Sequence, residues 1–411
     1  MSNNTKRLVL NIVQNFASRR AYNTSGRNAS ALPVIRQLSR NRWRSSQAAV
    51  SKVVERRRLN KELVMLIKQN GPSLVIRDYL KRGADPNTED QDGMTVLILA
   101  IGRPDVVNLL ISHGANVNAK CGQITALRSA ASKNDVRSMD LLVRAGARIE
   151  KAPRLFEDAI ATGGLEAVKF LLRHGANPYE KFGIFSILER AVLYAKIDIA
   201  KELINAMGPR ISQYGVDPLF YAIKYGYTEI ATMLVNGGVN VNLTSSKYPA
   251  ETMLGVAVRY DDPDIVRLLI RRGANVHAKN ADGDTAIMIA IQFDRVNIAT
   301  ILIREGRAKI PGGEWAVRLV TDKKWAFITD INVLKTMFSA VTDINASDGT
   351  FTPLKYAIMY NRIRMIKVLL ALGATYDTRD ENIQRWIRQS GYGATRSILN
   401  THVTRTKRKR T

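Results

Sequence analysis

Four histidines (His113, His174, His277, His402) and one cysteine (Cys121) are the residues of this 411-residue chain best suited to metal ligation or nucleophilic chemistry. The histidines lie too far apart to form a pair at helix spacing. A lone cysteine excludes both an internal disulfide framework and a multi-cysteine zinc site, and fits a reducing compartment. His113 and His174 each precede a glycine in the tetrapeptide HGAN, a pattern of helix ends rather than of ligands. No Gly-rich loop runs into Lys-Ser/Thr, no G-x-S-x-G elbow occurs, and the carboxylates fall mostly at turns and caps. No catalytic residue, metal ligand or cofactor site is assigned, and a non-enzymatic role is expected.

The elements that would carry a binding surface recur. The stretch TPLKYAIMYNRIRMIKVLLALGATYD (352–377) reads as two short amphipathic helices closed by a glycine and a polar turn, and similar stretches begin at Asp92, Ile124, Phe156, Asp217 and Asp284. Glycines follow the second helices at 83, 114, 146, 175, 208, 238, 273, 306 and 373, with Val341 in the remaining slot. A period of about 32 residues sustained this long predicts a repeat array, in which each unit buries its core only against its neighbours. Thr95, Thr125, Asp217, Thr285 and Thr352 stand where a side-chain oxygen would cap the first helix. Small residues recur at mid-helix (Ala100, Ala130, Ala191, Ala222, Ala257, Ala290, Ala357), and the terminal glycines suit the left-handed backbone of a helix C-terminus.

These units resemble the ankyrin repeat over about residues 60–378; RRGANVHAKNADGDTAIMIAI (271–291) and ISHGANVNAK (111–120) match its glycine-alanine-asparagine turn. The resemblance implies an all-α solenoid of about ten helix-turn-helix units. The chain departs from the family's T-P-L-H motif, with Ile98, Arg128, Phe220, Met288 and Lys355 in place of the histidine. A unit at about 311–345 is degenerate and carries Trp315 and Trp325. It reads either as a divergent repeat whose large side chains fill a packing irregularity or as a partner-binding interruption. Degenerate arrays of this kind look similar to those of large DNA viruses and intracellular bacteria.

One column stands out when the units are aligned. Tyr194, Tyr225, Tyr260, Phe293 and Tyr360 follow the first-helix alanine, and in the family this position faces the concave groove where partners dock. Two readings stay open: the rings stack on one another and seal the core, or they form a partner-binding stripe of large, low-entropy anchors. Interleaved Lys224 and Arg259 would make that groove mildly basic and suit an acidic protein partner.

The net charge of +26 is unevenly placed: residues 1–58 hold thirteen Lys/Arg and one acid, and residues 382–411 hold eight Lys/Arg and none. The expected organisation is a basic N-terminal extension (1–58), the repeat array (59–378), and a C-terminal cap helix with a basic disordered tail (379–411). The extension fits a flexible anion-binding arm, a mitochondrial transit segment or an irregular cap. Lys407, Arg408, Lys409 and Arg410 resemble a short nuclear-import signal and equally suit phosphate neutralisation. No apolar run approaches a membrane span, RLVLNIVQNF is a poor secretory segment, and nothing near the C-terminus resembles an F-box. The readings are a monomeric, non-enzymatic adaptor in the cytoplasm or nucleus (alternatively in mitochondria), or a nucleic-acid-associated structural component using its basic termini.

Overall fold

The computed structural model describes residues 51–149, 152–326 and 328–408. The basic segment 1–50, with the three readings attached to it, lies outside them. Contacts divide the chain into two compact units, before and after Gln123/Ile124.

In the first unit, helix α1 (51–68) runs through the boundary expected at residue 58 and buries Leu59, Leu63 and Ile67. It is followed by α2 (Ser73–Lys81), α3 (Val96–Leu99) and α4 (Pro104–Ser112). The Thr95 hydroxyl accepts the Ile98 N–H at 3.3 Å and caps α3. Asn87 ties neighbouring turns together, donating to the Gly114 carbonyl and accepting from the Asn116 N–H.

The second unit is a row of helix pairs. The first helices are α5 (Ala126–Ser132), α7 (Ala152–Thr162), α9 (Ile187–Leu193), α12 (Val216–Lys224), α14 (Met253–Arg259), α16 (Ala286–Gln292), α18 (Glu314–Thr321), α21 (Pro353–Met359) and α23 (Glu381–Ile387). The second helices are α6 (Val136–Arg144), α8 (Leu165–Arg173), α10 (Ile197–Met207), α13 (Thr228–Asn236), α15 (Pro263–Arg271), α17 (Val296–Arg304), α20 (Ile331–Ser339), α22 (Ile363–Ala371) and α24 (Gly393–Arg408). Short helices α11 (Ile211–Tyr214) and α19 (Lys323–Ala326) lie between pairs. Each first helix packs on the next first helix, α5 on α7 through to α21 on α23, and each second helix on the next second helix, α6 on α8 through to α22 on α24. This is the expected all-α solenoid, and among the described residues its strands are confined to short pairs such as β1 (Lys181–Phe182) with β2 (Phe185–Ser186). The mid-helix alanines at 130, 191, 222, 257, 290 and 357 are fully buried, which lets the first helices approach closely.

The caps follow chemistry, with exceptions. Thr125, Thr252 and Thr352 accept the N–H groups of Arg128, Gly255 and Lys355. Asp217 is not a cap: α12 starts at Val216, and the Asp217 carboxylate instead accepts from Ser245 Oγ and from the N–H and Oγ of Ser246, bracing the loop of the following repeat. Thr285 Oγ1 makes no hydrogen bond within the protein, so its expected capping role is not realised either. Most terminal glycines have the left-handed backbone expected of them, Gly373 at φ +92° among them. At Gly306 the expectation fails, because the left-handed residue is Arg307 (φ +57°). Gly306 is needed for space instead: a Cβ there would lie 2.7 Å from the Leu302 carbonyl and 2.8 Å from Val276 Cγ1.

In the degenerate unit, Trp325 is buried and its Nε1 donates to the Ile291 carbonyl at 3.2 Å, plugging the extra helix α19 against α16. That is the behaviour of a large side chain filling a packing irregularity. Val341 forms a parallel bridge with Ile310 in place of a glycine turn.

Candidate functional site

The five aromatic residues occupy equivalent places. Tyr194, Tyr225, Tyr260, Phe293 and Tyr360 are the C-caps of α9, α12, α14, α16 and α21. Each is followed by a residue of positive φ, namely Ala195, Gly226, Asp261, Asp294 and Asn361. The chain thus reverses immediately after every aromatic residue, and each of these residues is left 37–48% exposed. Among the described residues no ring contact joins two of the five. Tyr225 and Tyr360 stack on the residue one turn earlier in their own helices, Tyr221 and Tyr356, at 6.3 and 6.2 Å. The Tyr194 hydroxyl accepts from Arg190 and donates to Glu157, both at 2.9 Å. At this exposure the rings do not seal the core.

A device with no local sequence signature holds this column in place. A helix end leaves carbonyls short of intrahelical partners, and at three of these ends a side chain from the next unit donates to one of the last carbonyls, that of Ile291 also accepting the Asp294 N–H. Arg295 Nη2 donates to the Arg259 carbonyl, Trp325 Nε1 to that of Ile291, and the Tyr392 hydroxyl to that of Met359. The acceptors stand one or two residues before Tyr260, Phe293 and Tyr360.

The two cations assigned to this surface differ. Lys224 lies 5.9 Å from the Tyr225 ring centroid and 5.0 Å from that of Tyr248, with no ion-pair partner among the described residues. Arg259 is neutralised by Glu251 at 2.9 Å while its guanidinium covers Phe293 at 5.3 Å. The expected basic character therefore needs correction: Arg259 adds no free charge. Arg190 and Lys247 are likewise spent. Arg190 pairs with Glu157 beneath Phe182 and Phe185, and Lys247 pairs with Glu189 and lies 3.8 Å from Asp217. Burial, helped by the neighbouring Tyr248, pushes the Tyr221 hydroxyl well above the usual tyrosine range, so it stays protonated.

At three units the histidine position of the repeat motif holds a charged residue, whereas Ile98, Phe220 and Met288 are apolar. Arg128 makes a bidentate pair with Asp158 of the next unit at 2.6 and 2.9 Å, and Lys355 pairs with Asp380 at 2.7 Å. Glu189, at the same motif position, reaches Lys247 while closing a reciprocal cap with Ser186. Charged pairs thus link units where the histidine of the motif is missing. Of the tail residues, Lys407 and Arg408 lie on α24, so the expected disordered tail is helical as far as Arg408; Lys409 and Arg410 lie outside the described residues. His113 and His174 bond the carbonyls of Leu109 and Phe170 through Nδ1, as helix-end residues do. Among the described residues no helix is long and apolar enough to cross a membrane.

The model for ankyrin repeats (3 copies) matches residues 63–152, 156–245, 238–312 and 254–380. Similar proteins include E3 ubiquitin-protein ligase XBAT32 of Arabidopsis thaliana, 31% identical over 47% of this chain and 38% of the relative. The ankyrin repeat protein L371 of Acanthamoeba polyphaga mimivirus is 27% identical over 46% of this chain and 24% of its own length. The ankyrin repeat protein FPV031 of Fowlpox virus is 25% identical over 37% and 46%. The chain thus spans less than half the length of these relatives. A match to the repeat model running from residue 63 to residue 380 establishes that this chain belongs to the ankyrin-repeat family.

Proposed function

We propose that the chain is a non-enzymatic adaptor that holds a protein partner along the first-helix row of its repeats, in the groove the resemblance implies. The observation that carries this reading is the exposed aromatic column. Five large rings at one structural position each keep more than a third of their surface free while the alanines beside them are buried. Tyrosine and phenylalanine anchor interfaces because they bury much area for little rotamer entropy. The free ammonium of Lys224 adds one point for a partner carboxylate, so the fitting occupant is an apolar segment with an acid opposite Lys224. The adaptor is proposed to act as a monomer in the cytoplasm or nucleus.

A photo-reactive phenylalanine analogue placed in turn at Tyr225, Tyr260 and Tyr360 tests the reading, with Arg173 and Arg271 on the second-helix row as controls. One and the same protein should crosslink from the three ring positions and not from the controls. Crosslinks distributed equally over both rows would overturn it.

A further inference from the structure

We propose that the C-terminal end of the repeat row carries a second, independent surface: a phosphate-binding face centred on Arg379, Arg385 and Arg388 that engages a nucleic-acid backbone. The three arginines are exposed and line an open depression of about 450 Å³ together with Glu381 and Gln384. None of their guanidinium groups has an ion-pair partner among the described residues. Several arginines elsewhere in the second unit are neutralised by acids, Arg128, Arg190, Arg259, Arg267 and Arg295 among them.

The neighbouring groups keep the trio free. Lys355 takes the Asp380 carboxylate. Arg396 donates to the Ile387 carbonyl and ties α24 to the end of α23, fixing where Arg385 and Arg388 stand. Gln384 is held by the Thr378 carbonyl, and Glu381 is the one acid among the five lining residues, with the Asp377 carboxylate bonded to the Arg379 N–H nearby. From residue 382 onward the sequence holds eight Lys/Arg and no acid, and α24 continues the basic stretch to Arg408.

Guanidinium forks bind phosphate oxygens bidentately, and several in one depression suit consecutive phosphodiesters. An anionic membrane fits less well. A helix lying on lipid needs an exposed apolar face, whereas on α24 Leu399 is buried and Ile398 and Val403 are half-buried.

Fluorescence anisotropy of the full chain with a labelled single-stranded RNA and a duplex DNA, each of about 20 nucleotides or base pairs and titrated over salt, tests the proposal. The wild type should bind, with affinity falling steeply as salt rises. The triple variant Arg379→Ala/Arg385→Ala/Arg388→Ala should lose at least about tenfold in affinity and lower the log–log salt slope by about two to three, at about 0.7–0.9 per phosphate contact. The triple Arg→Lys variant should keep most of the slope. A charge-matched variant, Arg173→Ala/Arg271→Ala/Lys309→Ala, should stay within about twofold of wild type. Equal losses in the two alanine variants would mean diffuse attraction only and would overturn the site. So would an unchanged slope in the trio variant, or binding to anionic vesicles or polyglutamate without binding to either nucleic acid.

Discussion

The most demanding test of the energetics is Glu189. Its side chain is 3% exposed, accepts the Ser186 N–H at 2.7 Å and pairs with Lys247, whose ammonium lies 4.8 Å from the Phe185 ring centroid. Glu189→Ala removes the cap acceptor and strands the ammonium against aromatic rings. Breaking a buried pair costs about 3–5 kcal/mol. The low end, about 3 kcal/mol, applies here because Asp217 remains 3.8 Å from the ammonium. Glu189→Gln keeps an acceptor for Ser186 and should cost about 1 kcal/mol, in the range of a single hydrogen bond. Lys247→Met should cost about 2 kcal/mol because it leaves a buried carboxylate with its cap bond alone. Combined with Glu189→Gln, it should cost less than the sum of the two, with a coupling of about 1–2 kcal/mol. Repeat arrays open unit by unit, so a single melting temperature would blur the effect. Native-state hydrogen exchange resolves it. Amides of α9 and α12 in Glu189→Ala should exchange about a hundredfold faster, while those of α21 and α22 stay as in the wild type. A coupling under about 0.5 kcal/mol, or equal acceleration in α21 and α22, would refute the reasoning.

Two further outcomes follow from the packing. Trp325→Ala should cost about 3–5 kcal/mol in the local opening free energy of α16 read by native-state hydrogen exchange, as loss of a buried tryptophan does, and Trp325→Phe clearly less; a cost below about 1 kcal/mol for the alanine variant would mean that the indole fills no essential space. Burial opposes the charged form of Asp380, but the Lys355 ammonium and the N–H groups of Ile383 and Asn382 outweigh it and hold this carboxyl below its ordinary value of 3.8. A depressed folded-state pKa means that the stabilisation is present above the unfolded value and is lost as pH falls through the folded one. Exchange protection of α23 should therefore fall below about pH 4, and Asp380→Asn, which keeps a capping oxygen, should flatten that dependence; an unchanged profile would argue against the pair.

Much of this fold is legible in the sequence because its determinants are local and repeated. A glycine every 32 or so residues, threonines three positions before an N–H group and buried alanines at one phase each announce the same unit, as at Thr125–Ala130 and Thr352–Ala357. What local pattern misses is set across units. Asp217 looks like a cap, but the chain from Gly208 is already helical through Ile211–Tyr214, so α12 begins a residue earlier and the carboxylate serves the following loop. Gly306 looks like a helix terminator, but the turn shifts to Arg307 and the glycine makes room for Val276. Arg259 reads as free charge until Glu251, eight residues earlier, is seen to fold back on it. The ring positions are visible in sequence, whereas the Arg295, Trp325 and Tyr392 donors beside three of them bond carbonyls 33 to 36 residues away.

If the aromatic column is the docking surface, the affinity of the crosslinked partner must fall in paired ring variants. Two exposed anchors at about 1–2 kcal/mol each predict that Tyr225→Ala/Tyr260→Ala weakens binding by about thirtyfold to a thousandfold, with the circular dichroism spectrum unchanged and Arg173→Ala/Arg271→Ala neutral. Affinity within about twofold of wild type for the ring variant, or an equal loss in the second-helix variant, would contradict it.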